Sequence, residues 1–360
     1  MKTRLLAGTS KGLVIFKCVD HRWSIEAVQF EGLPVSLVYV DERSHTCWLG
    51  ISHRHWGEKL HYSQDEGKTW QEAAMPSYKN HFYKAGLPAS LKRIWVMQHA
   101  GADRPQGLWA GTEPGGLFYS DNLGKNFNLV ESLWNHPSRK DEKQWFGAGK
   151  DYPFIHSIVL DPTDSDHLYV AISCAGIFET TDGGQSWHAR NKGLKAAYLP
   201  NPSTEIGHDP HRVLMCSRNH SVLWQQNHCG IFRTINGGAS WNDVSSVNGF
   251  PRYGFGLAID EENENVAWVI PAHSEENRTP PGLKLTVCKT IDGGKTWQSK
   301  NRGLPAAHAF DLVLRHSLVK NDNNLCFGTT TGNLYASHDA GESWLEVSKN
   351  LAPVNYLTFF

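Results

Sequence analysis

Ser63-Gln64-Asp65-Glu66-Gly67-Lys68-Thr69-Trp70 holds the pattern that decides the fold, Ser/Thr-x-Asp-x-Gly-x-Ser/Thr-Trp. Further copies run over residues 180–187, 234–241, 290–297 and 337–344, with Asn236 in the Asp place of the copy at 234–241. A weaker copy spans 120–127, where Asn122 and Phe127 stand for Asp and Trp, and a worn seventh ends at Trp23. The pattern explains itself as a turn. An Asx side chain accepts hydrogen bonds from amides just downstream, Gly supplies positive φ, and the Trp opens the next strand while covering a neighbour. The expectation is that these boxes staple the scaffold and leave the chemistry to other residues.

The aromatic ends fall at 23, 70, 127, 187, 241, 297 and 344, spacings of 47 to 60 residues. That period suits one four-stranded blade. Upstream of each box the chain repeats an apolar strand, a Gly-containing turn and a second apolar strand, as in Leu108-Trp109-Ala110-Gly111 before Gly116-Leu117-Phe118-Tyr119. Innermost strands are expected at 35–40, 93–98, 156–161, 211–217, 255–260 and 310–315. Nothing before Leu5 can supply one for the first blade, whereas residues 354–360 form a strand left over after the last box. The predicted fold is therefore all-β: a single domain over 1–360, a seven-bladed β-propeller of four-stranded antiparallel blades. Its ring is closed by the C-terminal strand pairing with the N-terminal blade, so that no sheet edge is left at the seam.

Composition agrees and narrows the partners. Thirty-five basic against 36 acidic residues give a net charge of -1, so the positive surface that nucleic acid requires is missing. No apolar run reaches the length of a membrane span, and Gly8 to Gly12 with Lys11 interrupts any signal-type apolar stretch. The seven cysteines have no CxxC spacing and read as buried thiols of a cytoplasmic protein.

Antiparallel parity separates two ends of each blade. The boxes join strands 3 and 4 and lie with the 1–2 turns, while the 2–3 turns and blade linkers lie at the opposite end. That opposite end gathers the unusual residues: His53-Arg54-His55-Trp56, Glu113-Pro114-Gly115, His228-Cys229, the stretch 271–282 and the long linker 131–152. Loops over a rigid scaffold are where binding groups sit, so the channel mouth there is the expected site.

His156 and His211 open two innermost strands in one apparent register, His208 lies three residues before His211, and Gln226-Asn227-His228 ends the next strand. A polar pocket is expected from these residues, with Arg93, His136 and Arg139 leaning over it. Its occupant is a small polar ligand, carbohydrate included, and imidazoles at His156, His211 and His228 make a divalent metal a candidate cofactor. A glycoside hydrolase needs two carboxyl groups, for which Glu113, Asp151, Glu205 and Asp209 are the catalytic candidates, with Asp103 on the same face. A protein-binding scaffold is the third reading. HExxH, GxSxG, P-loop and dinucleotide-binding motifs are lacking, so those chemistries have no support.

The boxes resemble the bacterial neuraminidase repeats (BNR, Asp-box) of the sialidase-like superfamily. Asn135-His136-Pro137-Ser138-Arg139, His156-Ser157-Ile158-Val159, Asn191-Lys192-Gly193 and Gln225-Gln226-Asn227-His228-Cys229-Gly230 make the chain similar to single-domain bacterial propellers labelled exo-alpha-sialidase or glycosyl hydrolase. The resemblance implies the propeller fold and glycosyl-hydrolase-like chemistry. The aromatic-Arg-Ile-Pro segment of sialidases is not found in this sequence.

Overall fold

The computed structural model describes residues 3–84, 86–141, 144–147, 149–246 and 249–360, so positions 142, 143 and 148 of the long linker lie outside it. The fold class is all-β, a seven-bladed β-propeller of four-stranded antiparallel sheets. Among the described residues, helix is confined to one turn at Glu131–Trp134 and 3-10 turns at Pro137–Lys140 and Pro281–Leu283. Among the described residues no helix is long and apolar enough to cross a membrane.

One sheet joins Thr3–Thr9, Gly12–Val19 and Arg22–Gln29 to the C-terminal Val354–Phe359. Leu6 faces Thr358 and Ala7 faces Leu357 in that closing pair, as expected. The remaining sheets begin with Val35–Asp41, Arg93–His99, Ile155–Asp161, Pro210–Met215, Gly254–Ile259 and Leu318–Asn321, and each then runs outward in chain order. The last of these corrects the sequence reading. Residues 310–315 carry no strand, and Phe310, the residue expected to open one, is 59% exposed. Val313 packs into a core, but no ladder forms over this run and the paired strand begins at Leu318 instead.

The chain forms two compact units. In the unit of Tyr39–Val213 with Gly238–Ser240, Val96, Trp109, Trp145, Ile155, Phe178 and Trp187 pack in one core. In the unit of Met1–Val38, Leu214–Gly237 and Trp241–Phe360, Leu5, Phe16, Leu334 and Leu357 form one core and Trp268, Phe327 and Trp344 another. None of the seven cysteines forms a disulfide.

The repeated turns behave as the sequence chemistry requires. Asp65 Oδ1 accepts the amides of Lys68 and Thr69 at 3.0 and 2.8 Å, and its Oδ2 accepts the Thr69 hydroxyl at 2.6 Å. Ser63 Oγ accepts the Gly67 amide at 2.8 Å, where φ is +78°. Asp182, Asp292 and Asp339 repeat the set, and these donors hold the Asp65 and Asp182 carboxyls well below the usual carboxylate range. The closing tryptophans reach back to earlier chain: Trp297 Nε1 donates to Val244 O at 2.8 Å and Trp344 Nε1 to Lys300 O at 3.1 Å. Asp65 and its counterparts are therefore spent on structure.

Candidate functional site

Three residues singled out from the sequence, Arg93, Glu113 and Asp151, line one open cleft of about 340 Å³ in the unit that contains Tyr39–Val213. Ser52, Lys92, Lys150 and Tyr152 complete most of its wall. The topology puts them there. Ser52 is the penultimate residue of Thr46–His53, Arg93 opens Arg93–His99, and Glu113 ends Leu108–Glu113. Each position lies at the end of its sheet away from the Asp-centred turns, and residues 150–152 come from the linker before Ile155–Asp161.

Arg93 and Glu113 are cross-strand partners. The register then slips between Ile94 and Val96, leaving Trp95 as the extra residue of a β-bulge. The indole of this residue reaches a cleft-lining carboxyl, its Nε1 donating to Glu113 Oε2 at 3.1 Å. The ring stacks on Phe154 with centroids 4.2 Å apart and planes 16° from parallel. The Arg93 guanidinium lies 4.2 Å from the Trp95 ring and Lys150 Nζ 5.9 Å from it. Glu113 itself is only 6% exposed.

A further carboxyl, Glu58, was not anticipated. It opens Gly57–Ser63 directly opposite Ser52, whose hydroxyl hydrogen-bonds it. Burial pushes the Glu58 carboxyl up to about 7; the Glu113 charge adds to the rise, while Ser52 and Arg93 oppose it. Burial also lowers the Arg93 guanidinium, against the pull of Glu58 and Glu113. The sequence signal available was parity alone: Glu58 closes the same 2–3 hairpin as His53-Arg54-His55-Trp56. Trp56 at its tip is 73% exposed and stacks on His53 at 4.4 Å.

The other expected residues sit as follows. His156 is fully buried at a second bulge, between Ile155 and Ser157, with Nδ1 3.0 Å from Ser157 Oγ. His208 is buried, its Nε2 2.6 Å from Thr204 O, and desolvation lowers its pKa. His211 Nε2 lies 3.4 Å from Asp209 Oδ2, and Asp209 Oδ1 accepts the Ser173 hydroxyl at 2.7 Å. Glu205 accepts the Asn191 amide at 3.0 Å. His136 caps the Pro137–Lys140 turn through Ser138, and burial lowers its pKa. Arg139 donates to Gly115 O and lies 3.7 Å over the Trp134 ring; desolvation brings its guanidinium down to about 10.

In the other unit, Gln226 Nε2 donates to Arg252 O at 2.8 Å, and Asn227 Oδ1 accepts the Cys229 amide at 3.0 Å. His228 Nε2 is 2.6 Å from Glu275 and its ring meets Tyr253 edge-on at 5.6 Å. Asp103 is not on the expected face: it lies in the turn between Arg93–His99 and Leu108–Glu113, beside the 120–127 turn, because that turn joins the first two strands of its sheet at the end away from Arg93 and Glu113.

No protein-family model matches the chain. Among curated proteins it is 24% identical over 259 residues to the xyloglucanase Xgh74A of Acetivibrio thermocellus, covering 66% of this chain and 28% of that protein. The chain thus spans less than a third of that relative's length. An ancestral GH74 enzyme superposes with a TM-score of 0.58 at 16% identity, over 91% of this chain and 38% of that one. The protein YCF48 bound to D1 peptide superposes with a TM-score of 0.54 at 14% identity, over 90% of this chain and 86% of that one. These likenesses show the propeller fold.

Proposed function

We propose that this chain is a carbohydrate-active propeller whose cleft between Ser52, Glu113 and Asp151 binds a saccharide and hydrolyses a glycosidic bond, with Glu58 and Glu113 as the working carboxyl pair. The observation that carries the reading is that two carboxyl groups from different sheets, Glu58 and Glu113, each feel the other and Arg93. Their environments divide the roles. Glu58 keeps its proton near neutral pH and is suited to protonate the leaving glycosidic oxygen as the C–O bond breaks. Glu113 is held by the Trp95 N–H and serves as the carboxylate that meets the anomeric carbon or the attacking water. The exposed Trp56 ring, at the tip of the hairpin that carries Glu58, offers a flat apolar face for a pyranose.

The xyloglucanase likeness puts xyloglucan oligosaccharides first on a panel of neutral and acidic glycans, read by chromatography of the products. Hydrolysis is expected, with Glu58→Gln and Glu113→Gln each lowering kcat by roughly 10²- to 10⁴-fold. Turnover that survives both substitutions, or a panel without product, overturns the reading. Recovery of a stoichiometric protein partner by a chain that turns over no glycan favours the scaffold role in its place.

A further inference from the structure

The cleft's charges are unevenly satisfied. Arg93 faces Glu113 across the strands and feels Glu58 as well. Lys92 and Lys150 line the same cleft, and among the described residues neither ammonium forms an ion pair. Arg93 and Lys150 both stand within about 6 Å of the one indole whose ring stacks on Phe154. Three cations therefore line the cleft against two carboxylates, Glu113 and Asp151, while Glu58, paired opposite the lining residue Ser52, is raised by burial to about 7. The excess positive charge sits on the wall, with the Trp95 ring close to both Arg93 and Lys150.

We infer that the saccharide taken by this cleft is acidic, carrying on its ring a carboxylate or sulfate that lies against Lys92, Arg93 and Lys150. The inference rests on the cleft being the saccharide site, and it departs from the neutral glucan that the xyloglucanase likeness suggests. Arg93 supplies a planar fork able to bind either oxyanion through two parallel N–H groups. Lys92 and Lys150 add point charges at the exposed rim, where they steer the anion in and are screened by salt. Ionisation of Glu58 adds a negative charge beside the fork. Affinity for the anion is therefore expected to fall as pH rises through about 7.

The full chain is titrated calorimetrically with three probes: a hexuronate oligosaccharide, a sulfated oligosaccharide of equal length and a neutral gluco-oligosaccharide. At least one anionic probe is expected to bind tenfold or more tightly than the neutral one, and which of the two does so identifies the oxyanion. Lys92→Ala and Lys150→Ala should each weaken that probe roughly three- to tenfold and leave the neutral one unmoved. Glu58→Gln should remove the loss of affinity above pH 7. Equal or tighter binding of the neutral probe, or anion affinity indifferent to both lysines, overturns the inference. Glu58-dependent hydrolysis of a neutral glycan with no anionic preference sinks this inference and leaves the hydrolase reading standing. Tight lysine-dependent anion binding without hydrolysis does the reverse.

Discussion

Trp95 donates its indole N–H to Glu113 Oε2 at 3.1 Å, and it can do so because it is the extra residue of a bulge in the Arg93–His99 strand. In an unbroken ladder, alternation would give residue 95 the same face as residue 93 and a cross-strand partner of its own. Trp95→Phe keeps the stacking on Phe154 and deletes only the donor. The buried Glu113 carboxylate then loses a charge-assisted hydrogen bond, at a cost of about 1–3 kcal/mol. Urea unfolding should show that loss, and kcat on the best substrate of the panel should fall with it. Unchanged unfolding together with unchanged turnover would remove this contact from both accounts.

Glu58 makes the unfolding free energy depend on pH in a particular direction. Its carboxyl sits near 7 in the folded chain, against an ordinary value of 4.5. The folded state therefore binds the proton more tightly than the unfolded state does. Stability from this group is fully present below about pH 4.5 and is lost as pH rises through about 7, by on the order of 2–3 kcal/mol. Glu58→Gln should flatten this limb of the stability profile between pH 5 and 8. Equal slopes for the two proteins would show that burial does not raise this carboxyl.

A second ionic cluster, on the sheet that begins with Ile155–Asp161, acts in the opposite sense at acid pH. Glu179 Oε1 lies 3.0 Å from His167 Nε2, its Oε2 lies 2.6 Å from Arg190 Nε, and His167 Nδ1 is 3.2 Å from Asp161. Hydrogen bonds from His167, Tyr169 and Arg190 outweigh desolvation and hold the Glu179 carboxyl at about 2; Glu179 and Asp161 in turn raise the imidazole of His167. The lowered carboxyl contributes stability above about pH 4.5 that is lost as pH falls through about 2. The raised imidazole contributes below pH 6.5 and is lost as pH rises through its folded value. Glu179→Gln should cost about 2 kcal/mol near pH 6 and make the acid limb shallower. Chemical denaturation at pH 3, 6 and 9 checks both signs.

The parts of the molecule that repeat were legible in the chain, because each box carries its own turn chemistry and a Trp that must be covered. The closing strand was legible for a related reason: one blade lacked a strand and one strand lacked a blade. The run at 310–315 misled because Phe310, Leu312 and Leu314 alternate as a strand would, whereas Asp311 and Val313 are the buried residues and no ladder forms there. In the site, Glu113 and Arg93 could be named from their places at strand ends. Trp95 and Glu58 could not. Trp95 owes its direction to a one-residue slip that no side-chain pattern announces. Glu58 looks like an ordinary hairpin acid until its cross-strand partner Ser52 and the nearby Arg93 and Glu113 are seen together. His156 shows the same limit, since the bulge at that residue breaks the alternation from which a shared register with His211 was counted.

The pairing of the two chain ends gives the sharpest test of the architecture. Leu357 is 1% exposed, faces Ala7 across the closing ladder and packs in the core with Leu5, Phe16 and Val354. Leu357→Ala deletes buried methyls where the surrounding sheet is fixed by hydrogen bonds on both sides, so the void cannot collapse freely. A loss of about 2–5 kcal/mol is expected, against a total stability on the order of 5–15 kcal/mol. Thr358→Ala, one residue along on a side chain that is less buried, should cost under about 1 kcal/mol and serves as the control. Removing residues 354–360 goes further: it strips the ladder from Thr3–Thr9 and leaves an apolar edge open to pairing with other chains. The truncated protein should aggregate on expression. If it instead stays monomeric with an unchanged melting temperature, the C-terminal strand does not close the first sheet in solution.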